Sequence, residues 1–135
     1  MKDQLLKSLD RIHQYTINVA DAMPESSYSF KPSKDTRTFS ELMNHMAYSL
    51  IWMNENYVKH QTVDWNPPAD KKSKSAIMKY IEASFDDVRS TLKKMPESEN
   101  EANGFLSLVE HNAHHRGQAT TYLRCKGIVP PEYPF

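Results

Sequence analysis

The sequence predicts an all-α fold, a four-helix bundle with long connections between the helices. Four segments place apolar residues at alternating steps of three and four, and proline or capping residues bracket them. With only three glycines and no alternating β-branched run bounded by turn residues, the chain offers little from which to build a sheet.

The first helix is expected over about residues 2 to 22, where Leu5, Leu9, Ile12, Thr16, Val19 and Met23 form one stripe that Pro24 ends. Residues 24 to 37 carry Pro, Ser, Asp and Lys with Tyr28 and Phe30, a connection long enough to cross the bundle. Thr38-Phe39-Ser40-Glu41 reads as a capping box that opens the second helix. Its stripe is Phe39, Met43, Met46, Leu50, Met53 and Tyr57, and the spacing carries it to about His60. Residues 61 to 72, with Trp65-Asn66-Pro67-Pro68, cannot propagate a helix and form the second long connection. Ser73 then caps a third helix with Ile77, Ile81, Phe85 (or Ser84), Val88, Leu92 and Met95 inward, stopped by Pro96. A fourth helix, from near Asn103 to Gly127, is expected to bury Leu106, Val109, Ala113, Thr120 and Leu123, with Gly127 as a left-handed cap. The tail from Ile128 to Phe135 holds three prolines and has no helical option.

At 135 residues the chain has the length of one domain, 1–135. Lys plus Arg equal Asp plus Glu at 17 each, so no net field gathers phosphates, and a nucleic-acid partner is not expected. No run of about 18 apolar residues crosses a bilayer and the N-terminal stretch lacks a secretory apolar core, which favours a cytoplasmic protein with no membrane partner. The lone Cys125 has no companion for a disulfide or a thiolate metal site, so any metal must be held by nitrogen and oxygen.

Chemistry concentrates in His111-Asn112-Ala113-His114-His115-Arg116-Gly117-Gln118. His111 and His115 are four apart and project from one helix face a turn apart, a spacing at which two imidazoles can share an ion. His45, on the flank of the second helix's stripe, is the best third donor. The spacing alone is weak evidence, because histidine pairs at that offset also occur by chance.

The segment Phe39-Ser40-Glu41-Leu42-Met43-Asn44-His45, then Trp52, His111-x-x-x-His115-Arg116-Gly117-Gln118, Tyr122-Leu123-Arg124 and Gly127 with Pro130-Pro131, resembles the DinB-like (YfiT-type) superfamily over most of the chain. The resemblance implies a metal centre on His45, His111 and His115, and a homodimer. It also implies, for some members, a thiol-dependent S-transferase using a metal-bound thiolate or water, with isomerases and hydrolases as relatives. Three histidines leave coordination positions open for water or a small-molecule substrate. Zinc or nickel is the expected ion, although imidazole also suits iron and copper, and a low-molecular-weight thiol is the expected cofactor.

Other readings stay open. The chain could be a non-catalytic metal- or ligand-binding stress-response protein, or a structural helical dimer whose histidines pack without metal. His114 and Gln118, at offsets of three and seven from His111, are placed to orient a ligand or to serve a plain surface or packing role. Arg116 could bind an anionic substrate or pair with Glu110 or Asp86. His13 and His60 belong to no constellation; Trp52, Trp65 and Tyr57 read as core and loop cover; Cys125 reads as an inert small side chain. Tyr133 and Phe135 could fold back over the site.

Overall fold

The computed structural model describes residues 1–135 and contains four long helices and no strand. They are α1 (Lys2–Ala22), α2 (Phe39–Met53), α3 (Lys74–Lys94) and α4 (Glu99–Cys125). No helix is long and apolar enough to cross a membrane. Each of α1 and α2 packs against both α3 and α4, so α1 and α2 stand diagonally across the bundle. The connection from residue 23 to residue 38 spans that diagonal. It contains a 3₁₀ turn, Glu25–Ser27, and is tied down at both ends: Tyr28 Oη donates to Ala20 O (2.6 Å), while Phe39 and Ser40 N–H donate to Phe30 O and Tyr28 O (both 2.8 Å). Lys74 Nζ donates to Asp21 O and Met23 O, a cation on the negative end of α1 that also fixes the start of α3.

The helix ends follow the local chemistry read from the sequence. Thr38 and Glu41 form both bonds of the capping box, and Ser73 Oγ accepts from Ala76 N–H. Gly127 adopts φ 71°, and the bonds Gly127 N–H to Arg124 O and Ile128 N–H to Leu123 O (both 2.9 Å) complete a Schellman motif. Helix α4 begins four residues before the expected Asn103, with Glu99 and Glu101 placed on the positive end of its dipole.

All four helices feed one contiguous cluster of 26 buried apolar residues, with Phe39, Phe85 and Phe105 among the largest side chains fully enclosed. The expected stripes of α1 and α3 are the buried ones, apart from a half-buried Leu5. Two expectations are corrected. Helix α2 does not run regularly to His60: it changes at Asn54 into a π-helical turn, Asn54–Val58. The wider turn advances the register by one residue, so Val58 enters the core while Tyr57, expected inside, is 44% exposed. Fully buried Asn54 anchors this turn by donating from Nδ2 to Asp87 Oδ2 (2.8 Å) and Thr91 Oγ1 (2.9 Å).

The second correction concerns the inward face of α4. The buried residues are Gly104, Phe105, Leu108, Asn112, His115, Arg116, Ala119, Tyr122 and Leu123. Leu106 and Ala113 are exposed, and Val109 and Thr120 are only half-buried. The true stripe keeps helical spacing but alternates large apolar groups with small and polar ones, so a hydrophobic pattern selects the adjacent face. Those buried polar side chains are the ones from which a site can be built.

A candidate metal centre between two helices

Helix α2 contributes His45, and α4 contributes His111 and His115. The bundle brings one ring nitrogen from each to within 4.8 Å of the other two. His45 Nε2 lies 3.0 Å from His115 Nε2, and the His111 and His115 ring centroids are 4.5 Å apart. Nitrogens that share an ion at the usual ~2.0–2.1 Å stand about 3 Å apart. Gln118 Oε1 accepts from His115 Nδ1 (2.8 Å), which leaves His115 Nε2 with a free lone pair directed at His45. His111 Nε2 is buried and has no hydrogen-bond partner at all. A buried polar nitrogen left unbonded is costly, and a divalent ion would satisfy it, so the residues fit such an ion.

Burial pushes the pKa of all three rings down, and the Arg37 cation adds to the effect. His45 falls furthest, to about 4, through burial first and then the charges of Arg37, His115 and His111. Neutral imidazole is the form that binds metal. The sign of the linkage gives a prediction. Below pH 6.5 the unfolded chain binds protons that folded His45 refuses, so metal-stripped protein is expected to lose stability as pH falls from 6.5 towards 4, and to lose no more from this group below that. Solvent screening at the half-buried ring keeps the loss to a fraction of the full shift. Thermal melts of the stripped protein against His45→Gln across that range check it: an equal slope in both would refute the assignment.

Beside His45 opens a cavity of about 420 Å³ lined by Arg37, Tyr48, Trp65, Pro67, Asp70 and Tyr80, among others. The 59–73 connection forms its outer wall without secondary structure of its own, and side chains of α2 and its π turn hold it. Asn44 exchanges two hydrogen bonds with the Lys71 backbone, Asn56 exchanges two with Val63, and Tyr48 Oη accepts from Asn66 N–H. Trp52 Nε1 also donates to Val63 O (2.9 Å). The asparagine amides thus act as surrogate strand partners. Trp65 consequently leans on Tyr48 and on His45, at ring separations of 4.7 and 5.6 Å. The Tyr80 hydroxyl is buried without a partner. Burial, then Tyr48 and Asp70, raises its pKa and keeps it a proton donor.

The remaining candidates separate. His114 is exposed; its ring stands edge-on to His115 with centroids 4.9 Å apart, and it approaches Gln118 at 3.4 Å. Gln118 orients His115 rather than His111. Arg116 is buried but pairs with neither Glu110 nor Asp86; it faces α1, with its guanidinium 4.9 Å from the centre of the Tyr15 ring. Tyr133 and Phe135 fold back onto Tyr15, away from the three histidines. His13 bonds Glu82 at 2.6 Å and stacks on Phe85, and His60 approaches Glu101 at 3.6 Å. Cys125 is free and exposed. Arg37, Tyr48, Trp65 and Tyr80 as cavity walls were not legible from periodicity; the available signal was Asn44, a polar residue between Met43 and Met46 in the second helix.

The family model described as the DinB family matches residues 1–134. Among solved structures, a DinB-like protein from Bacillus cereus ATCC 10987 is similar at a TM-score of 0.78 and 17% sequence identity, covering 97% of this chain and 96% of that one. A DinB-like protein from Bacillus subtilis, YjoA, is similar at 0.78 and 17%, covering 98% and 96%. At that identity the likeness is one of fold. No curated protein matches the sequence.

Proposed function

This chain belongs to the DinB family, and from its cluster of three imidazoles, of which His45 lines a cavity, we propose that it is a metal-dependent enzyme of the thiol S-transferase type. The observation that carries the reading is the unbonded, buried Nε2 of His111 in a group whose ring nitrogens lie within 4.8 Å of one another, with His45 of that group lining an open cavity. His45, His111 and His115 would hold the ion, with zinc or nickel the first candidates. When bound, such an ion supplies Lewis acidity, which lowers the pKa of a thiol or a water placed on it.

The chain's own groups divide the remaining work. Gln118 fixes the tautomer of His115. Trp65 and Tyr48 wall off bulk water and offer aromatic faces to the substrate. Arg37 has no ion-pair partner and lines the cavity, so it can hold a carboxylate of the thiol or of its target. Tyr80 keeps its proton and has a free hydroxyl to offer an oxygen of the electrophile. In the reaction class proposed, a sulfur–carbon bond forms as the carbon–leaving-group bond breaks; the leaving group departs as the anion and the thiol proton passes to solvent.

The test is to load stripped protein with zinc or nickel and incubate it with low-molecular-weight thiols and alkylating electrophiles, reading conjugates by mass spectrometry. Conjugate formation that needs the metal and disappears in His45→Ala is expected. Stoichiometric metal with no turnover across the panel would replace this reading by that of a metal-binding protein without catalysis.

A further inference from the structure

We propose that the bundle carries a second ligand site, for a small oxyanion, built on Arg116 between α1, α4 and the 128–135 tail. Arg116 is only 5% exposed, yet no carboxylate pairs with it, and the polar groups that face it are the hydroxyls of Tyr15 and Tyr133. Its one hydrogen bond is a long one, from Nη1 to Asn112 Oδ1 at 3.4 Å. The Tyr15 and Phe135 rings lie 4.9 and 5.7 Å from its central carbon. Aromatic faces stabilise the guanidinium plane but leave its edge N–H groups without acceptors.

Those donors border a cavity of about 220 Å³ lined by Tyr15, Ala113, Arg116, Gly117, Thr120 and Tyr133. Asn112, whose Oδ1 accepts that long bond, is itself 2% exposed, and its Nδ2 has no partner either. The hydroxyls of Tyr15 and Thr120 already donate to Pro131 O and Gly117 O. The unfilled hydrogen-bonding capacity is thus on the donor side, next to a fixed positive charge, and the missing partner is an anion. The space suits one phosphate or carboxylate group on a small molecule. The rest of that molecule can extend into the adjoining cavity of about 530 Å³ beneath the tail, which Arg124 lines together with Glu132.

The site uses none of the three histidines. Arg116 follows His115 in sequence, but the helix turns it towards α1 while His115 faces α2. It therefore stands or falls independently of the metal centre.

The test is a nuclear magnetic resonance titration of the protein with its natural metal complement, using sodium phosphate and, separately, sodium acetate at constant ionic strength. Saturable shifts of the Arg116 side-chain N–H and the Gly117 and Thr120 amides with either probe are expected; the probe that acts identifies a phosphate or a carboxylate ligand. Arg116→Lys should weaken binding about tenfold, because the fork geometry is lost while the charge remains. Gly117→Leu should abolish it: a Cβ there meets nothing within 4 Å, so the helix tolerates the side chain while the cavity fills. His45→Ala should leave the titration unchanged. Absence of saturable shifts, their persistence in Gly117→Leu, or their loss in His45→Ala would overturn the proposal.

Discussion

Alanine in place of His111 is expected to reduce bound divalent metal from about one ion per chain to a trace, while leaving the metal-free fold intact. Removing an outer hydrogen-bond partner of a ligand costs roughly 10–100-fold in metal affinity, so deleting one of three donors should cost more than ~100-fold. Gln118→Ala, which removes only the acceptor on His115 Nδ1, should fall within the smaller range. Stability separates a ligand from a packing residue. An ion present at a hundred times its Kd adds about 2.7 kcal/mol to the loaded parent, and His111→Ala forfeits that. The stripped proteins should differ by no more than about 1 kcal/mol, since the lost ring contacts are offset by removal of a buried, unbonded nitrogen. Elemental mass spectrometry and paired melts with and without metal check both halves. Undiminished metal content in His111→Ala or His115→Ala would show that the three imidazoles are not the ligand set.

How much of this was readable in the chain depends on which physical signal each element carries. Caps and proline stops are local, so the start of α2 at Thr38, the start of α3 at Ser73 and the cap at Gly127 sit where the sequence places them. The stripes of α1 and α3 are mainly apolar, and their burial follows from periodicity. Periodicity failed where other forces set the register. At Asn54 a buried amide bonded to Asp87 and Thr91 accompanies a wider turn that no three-four pattern encodes. In α4 the inward face holds Gly104, Asn112, His115 and Arg116, polar or small residues that a hydrophobic count discards. The three histidines were identified from spacing together with a family signature, and the fold brings their nitrogens together. The cavity beside His45 was not legible, because its wall is an irregular segment held by the Tyr48 hydroxyl and the Asn44 amide, 18 and 27 residues away in sequence.

Gly104 should prove the least replaceable residue of α4 outside the histidines. A Cβ built there would lie 2.0 Å from Tyr57 O and 2.6 Å from Tyr57 C, in the π turn that ends α2. Those are backbone atoms, so no side-chain rotation relieves the clash and the helix itself must move. Alanine improves helix propensity by about 0.5–1 kcal/mol, whereas overpacking costs typically 1–3 kcal/mol and more when the backbone must shift. The clash therefore wins, and Gly104→Ala is expected to lose about 2 kcal/mol, read as a melting temperature lower by roughly 10 °C. Gly117→Ala is the matched control: it carries the same propensity gain with nothing within 4 Å, and should hold or raise the melting temperature. The displacement also reaches the candidate site. Gly104 is seven residues, about two turns, before His111 on the same face, so pushing α4 from α2 moves His111 and His115 away from His45. Gly104→Ala should therefore weaken metal binding by more than Gly117→Ala does, although neither glycine contacts an imidazole. Equal affinities in the two variants, with Gly104→Ala folded, would mean that the histidine geometry does not depend on this helix contact.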